Sequence, residues 1–205
     1  MVEAAIVLGV AGMVVAGIMF AAGRVSRSTS INKAGEQLFE IVANVRGIYT
    51  SQRGIYHDNS PIGGCNPADL TAKLSCQGAF PSDMIGGVPG TPPANDWGAV
   101  VVEPMDKDLN TAAAAAPGET SFGVRYANLP VDVCIALASR ISAPDQKMML
   151  RAVLFGGPAG TAYTAAGTVW ANGTSLPVNP TQAVTECQNA AAGGLVTLEW
   201  AFMLR

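Results

Sequence analysis

Histidine is almost missing from this chain: His57 is the one histidine among 205 residues. Ser-His-Asp catalysis would have to run through His57, beside Asp58 in a polar stretch, and no G-x-S-x-G, H-E-x-x-H or P-loop spacing supports it. No two cysteines form a C-x-x-C pair, which removes the usual zinc frame. Charged residues make up only 13% of the chain, and no dense basic patch is present that could grip nucleic acid. The acids beyond residue 54 are scattered, and pairs such as Asp106 and Asp108 fall in a loop-like stretch, so they read as solvated. No catalytic residue, cofactor or metal site is expected.

The largest absence is local. From Ala4 to Gly23 there is neither a charge nor a proline. Glu3 stands just before this run, and Arg24 and Arg27 end it. The run is long enough to cross a bilayer as a helix, at about 20 apolar residues for about 30 Å. No Lys or Arg precedes it and no A-x-A-like cleavage site follows it, which excludes a cleavable secretory signal. The segment is expected to be retained, with any basic leader already removed. Its orientation stays open, because the positive-inside rule places Arg24 and Arg27 in the cytoplasm and a removed leader reverses that reading.

What the run does contain is glycine: Gly9, Gly12, Gly17 and Gly23. Ala5 with Gly9, Gly12 with Ala16 and Gly17 with Ala21 are small-xxx-small pairs that let helices approach closely. Each glycine costs a helix about 1 kcal/mol relative to alanine in water. The pattern predicts a helix built to pack on other helices and to bend or partly unwind. The plain alternative is a single-pass anchor.

Helical periodicity continues past Arg24. Ile31, Ala34, Leu38, Ile41, Val45, Ile48 and Tyr49 fall at steps of three and four, with Lys33, Glu36, Glu40 and Arg46 among the residues between them. Gly54 is the first plausible stop. A helix from Val2 to Arg53 would be about 80 Å long at about 1.5 Å per residue. Residues 1–54 are therefore one element, with a hydrophobic part (1–23) and an amphipathic half (24–54) whose stripe needs a globular domain to cover it. Residues 55–205 supply that domain.

Within it, Ala99–Glu103, Ser121–Tyr126 and Leu195–Leu204 are the strand candidates. The last has the clearest period of two: Val196, Leu198, Trp200, Phe202 and Leu204 alternate with Thr197 and Glu199. Val131–Ser142 is predicted as a helix, with Cys134, Leu137, Ala138 and Ile141 on one face and Asp132 in the first turn, where the helix dipole favours it. Asp145–Phe155 fits either a helix or a strand. Gly86–Asn95 and Gly156–Asn179 read as loops. Trp97 and Trp170 read as core, with a role in subunit contact or adhesion as the alternative.

An even cysteine count in a chain with an exported domain argues for disulfides over four buried thiols. Cys65, Cys76, Cys134 and Cys187 allow three pairings. Proximity favours Cys65–Cys76, which leaves Cys134–Cys187 to tie the predicted helix to the segment before the last strand.

Glu-Ala-Ala-Ile-Val-Leu-Gly at residues 3–9, opening a hydrophobic and then amphipathic helix, resembles the amino terminus of a mature type IV pilin. Met1 as the first residue resembles the type IVb branch, in which N-methylated methionine is common. Asn95-Asp96-Trp97-Gly98 and Asn128-Leu129-Pro130-Val131-Asp132-Val133-Cys134 resemble the PilS-like pilins of thin conjugative and related pili. The family's acid usually stands two residues further along than Glu3 does here, and the apolar run lacks a proline.

The resemblance implies an α+β fold, a long N-terminal helix spine packed against an antiparallel β-sheet, with Cys134 and Cys187 bracketing a C-terminal region. It also implies removal of a leader and methylation of Met1 by a prepilin peptidase, residence in the bacterial inner membrane, and then homopolymerisation by the assembly machinery into an extracellular fimbrium. Glu3 would pair with the N-terminal amine of a neighbouring subunit. Met1, Glu3, Gly9, Gly12 and Gly17 would serve assembly, with the helical structure that family members lose on assembly placed here at Gly12 and Gly17. The filament would serve cell contact such as adhesion, aggregation or conjugation, without direct nucleic-acid binding. The nearest alternative is a pseudopilin of a type II secretion system or a minor pilin, and a more distant one is a membrane-anchored extracytoplasmic enzyme.

Overall fold

The computed structural model describes residues 2–52, 54–55, 61–62, 65, 67–105, 120–141, 149–156, 169–171, 176–191 and 193–204. Two compact units divide the chain, Met1–Ala34 and Gly35–Arg205. The boundary lies inside one helix, α1 (Val2–Tyr49). From Gly35 onward, the residues of the amphipathic half therefore belong with the head.

Helix α1 stops at Tyr49, short of Gly54. Thr50 is the reason on the local scale: its Oγ1 donates to the Arg46 carbonyl at 2.7 Å and its N–H turns back to Gly47. Hydroxyl side chains that bond nearby backbone compete with helix continuation in this way. In the head unit, Leu38, Ile41, Val42, Val45 and Tyr49 of α1 are buried. Polar side chains on its flanks tie it down. Gln37 donates to Asp83, Asn44 to the Ala79 carbonyl, and Arg46 sends both Nε and Nη2 to the Met203 carbonyl.

Among the described residues, the head is a five-stranded antiparallel sheet flanked by three short helices. Its strands are β1 (Val100–Met105), β2 (Ser121–Pro130), β3 (Leu150–Gly156), β4 (Val169–Ala171) and β5 (Leu195–Met203), in the spatial order β1-β2-β5-β3-β4. The last strand in sequence is thus the central one, paired with β2 on one side and β3 on the other. Its apolar alternation fills one face: Trp200, Phe202, Leu198 and Val196 are buried with Phe122, Val124 and Tyr126 of β2. Tyr126 meets Trp200 edge-on at 5.2 Å between ring centroids, and Phe122 meets Phe202 at 5.7 Å. Each such ring pair adds about 0.5–1.5 kcal/mol beyond its area burial.

Helix α2 (Leu70–Cys76) protects the edge strand β1. It opens with Asp69, whose carboxylate accepts from the Ala72 N–H. Thr71 then both donates to the Val102 carbonyl and accepts from the Val102 N–H, so one hydroxyl satisfies an edge residue that would otherwise invite another strand. Helix α3 (Val131–Arg140) starts where β2 ends, and α4 (Pro180–Ala190) precedes β5. Asn179 and Gln182 form a capping box for α4, with Pro180 in the first turn.

Several sequence expectations shift. Leu150–Gly156 is a strand, which decides the ambiguous Asp145–Phe155 segment from Leu150 onward; residues 145–148 lie outside the described residues. The stretch read as a loop from Gly156 to Asn179 contains β4. The segment before the last strand is a helix. The acids beyond residue 54 are not all solvated: Glu199 is fully buried. His57, Asp58, Asp106 and Asp108 lie outside the described residues.

Candidate functional site

Among the described side chains of the first unit, the large apolar ones from Val7 to Val25 are exposed. Val7, Leu8, Met13, Ile18, Met19 and Phe20 are all exposed, Met13 at 80%. A Cβ added at Gly9, Gly12, Gly17 or Gly23 would meet no atom within 4 Å. The helix is long and apolar enough to cross a membrane by length and composition. Arg24 closes the run with its guanidinium 4.6 Å from the centre of the Phe20 ring, a cation–π contact that keeps the charge beside the apolar surface. Glu3 lies in the first turns of α1 by its backbone; Met1 lies outside the described residues. The glycines therefore share one continuous helix with Glu3 in the isolated subunit.

The second element is the pair of disulfides. Cys134 on α3 and Cys187 on α4 are bonded, with Cα atoms 6.1 Å apart, and both are fully buried. The bond joins two helices that pack on β2, β3 and β5. Cys65 and Cys76 are bonded with Cα atoms 6.0 Å apart. Gly90 lies against this second bond: a Cβ there would sit 2.6 Å from Cys65 Sγ, and its φ of +84° is a conformation that side chains rarely adopt. Ser75 completes the clamp, accepting from the Gly90 N–H and donating to the Thr91 carbonyl.

Two sequence motifs acquire a local reason. Asn95 uses Oδ1 to accept from the N–H groups of Trp97 and Gly98, closing a turn that brings Ala94 and Ala99 into a bridge. At Gly98, a Cβ would press on the Ala127 carbonyl at 3.0 Å. Asn128 takes a positive φ of 59°, at the register shift of β2, and Pro130 then delivers the chain into α3. The motif Asn128–Cys134 is thus a bulge, a helix entry and a disulfide in sequence. Trp97 is half-buried, and the side chain of Trp170 lies outside the described residues. Among the described residues, no group of three or more His, Cys, Asp or Glu side chains could hold a metal ion.

A protein-family model described as Bundlin matches residues 25–203. The chain belongs to the Bundlin family of type IVb pilins. No curated protein matches it. Among solved structures, it is similar to TcpA, a type IV pilin from the El Tor biotype of Vibrio cholerae, at 13% identity and a TM-score of 0.50. That match covers 84% of this chain and 98% of the other. A type IVb pilin from Salmonella typhi matches at 18% identity and a TM-score of 0.45, over 82% of this chain and 99% of the other. The pilin fold expected from the sequence, a long N-terminal helix with an antiparallel sheet, is the fold observed. The pilin family and fold are structural rather than catalytic, and the family assembles with other pilin subunits into an extracellular pilus.

Proposed function

We propose that this type IVb pilin polymerises through the apolar part of α1 into a filament used for contact between cells. The exposed apolar surface between Val7 and Val25 carries the reading. Exposed apolar surface of this extent marks a membrane or protein contact, and open glycines at Gly9, Gly12 and Gly17 allow helices to approach closely. In this proposal a prepilin peptidase prepares the amino terminus, and the inner membrane holds the helix first. Assembly machinery then moves it into a bundle of like helices. Glu3 docks on the N-terminal amine of a neighbouring subunit, because an acid near membrane depth is expensive unless paired.

Shearing cells that express Glu3→Ala or Glu3→Gln and viewing the sheared material by electron microscopy tests this. The expected outcome is subunit at normal levels in the membrane with filament yield reduced by an order of magnitude or more. Normal filament yield from both variants would overturn the docking role of Glu3.

A further inference from the structure

The face of the sheet opposite Trp200 carries charge at its centre. Glu199 is fully buried in the middle of β5, and neither of its carboxylate oxygens has a hydrogen-bond partner among the described residues. Met105, Ala152, Leu154 and Ala201 form an apolar cluster on the same face. The register places Arg125 of β2 directly across from Glu199 on one side and Leu154 of β3 on the other. Gly123 lies two residues from Arg125 and directly across from Glu103 of β1. A Cβ on Gly123 would collide with the Glu199 carboxylate, so that carboxylate leans over the glycine toward the row that holds Glu103. Glu103 is itself paired with Arg125, Nη2 to Oε1 at 2.5 Å, with side-chain exposures of 24% and 23%. Arg151 also lies along this face and donates to Ser121 further along the sheet.

One cation therefore stands between two carboxylates. With both acids ionised, the Glu103–Arg125–Glu199 cluster carries one excess negative charge, and the deeper acid is the unpaired one. With a proton on Glu199 the cluster is neutral. Burial first, and then the negative charge of Glu103, push the Glu199 carboxyl up to about 8, against the smaller opposing pull of Arg125.

We propose that Glu199 is a proton-operated latch on the edge strand. While protonated it leaves Arg125 to Glu103, tying β1 to β2 through their side chains. When ionised it draws Arg125 toward the centre of the sheet and frees Glu103. The desolvated carboxylate wins that competition because an ion pair is stronger away from water than at a half-exposed rim. Strand β1 is the one released because it lies at the sheet's edge and is paired with β2 alone. Glu199 holds its proton more tightly in the folded chain than in the unfolded one. Its contribution to stability is therefore complete below the ordinary carboxylate range and is lost as pH rises through about 8.

The test uses the full chain in detergent micelles, between about pH 6 and about pH 9, the range that spans this titration. Infrared spectra are expected to contain a protonated-carboxyl band near pH 6 that titrates away near pH 8 and is missing in Glu199→Gln. Amide hydrogen exchange across Val100–Met105, corrected for its intrinsic pH dependence, is expected to accelerate about tenfold over the same range in the wild type. It stays flat in Glu199→Gln, and in Arg125→Gln it is fast at every pH. Absence of the carboxyl band from the wild-type spectrum near pH 6 would overturn the proposal, even if neither variant folds. So would an exchange profile in Glu199→Gln that rises as the wild type's does.

Discussion

Gly17 and Gly123 show how differently the two units of this pilin use the same residue. At Gly17, as at Gly9 and Gly12, an added Cβ would meet no atom within 4 Å. Gly123 is closed off by the carboxylate of Glu199. Large apolar side chains divide in the same way, with Met13 80% exposed on the first half of α1 and Trp200 fully buried in the head. The composition of the head is explained by contacts within the chain itself. In the proposed function, the composition of the first unit answers to a second solvent, lipid or neighbouring helices, that one chain does not supply. On that proposal, a subunit that must be stable alone and then join others separates the two tasks along its sequence.

Substitutions in the head should break the contrast first, because they act on the isolated subunit. Trp200→Ala is expected to cost about 3–5 kcal/mol, the range for emptying a large buried aromatic site, read as a lower urea midpoint of the full chain in micelles. Replacing Cys134 and Cys187 together by serine should cost about 4 kcal/mol. Replacing Cys65 and Cys76 should cost about 3, since the model of loop entropy rewards the longer loop; their separations are 53 and 11 residues. Equal losses from the two pairs would show that strain or residual structure in the unfolded chain outweighs loop length.

Gly123→Ala sharpens the comparison, with an expected loss of about 1–3 kcal/mol from overpacking against Glu199. Gly17→Ala should go the other way by up to about 1 kcal/mol in helix stability, with no change in the urea midpoint of the head. The same thermal and urea scans read both variants.

The sequence made the central strand legible because alternation from Val196 to Leu204 is strict and one face is entirely apolar. Helix α3 was legible for a similar reason, through the stripe of Cys134, Leu137 and Ala138. Helix α4 was missed although Asn179-Pro180-Thr181-Gln182 carries both a cap and a first-turn proline. A polar helix with Gln182, Thr185 and Gln188 on its surface has little apolar periodicity to notice, and the cap alone had to carry the signal. Strand β4 was missed because three residues are too few to show a period. Glu199 was missed for a physical reason. Alternation assigns it to the face opposite Trp200, and a polar residue there reads as solvated. Whether that second face meets water depends on contacts distant in sequence, which no local pattern contains. In the candidate assembly surface, the apolar run and its glycines were read directly, because exposure there needs no partner from elsewhere in the chain.

The central claim is that the first half of α1 is made for packing against other copies. Electron microscopy of filaments sheared from cells expressing Gly17→Leu, with immunoblots of the membrane fraction alongside, tests it most directly. A Cβ at this position meets no atom within 4 Å in the isolated subunit, so the expected result is wild-type subunit levels in the membrane and few or no filaments. Filaments at wild-type yield would contradict the claim.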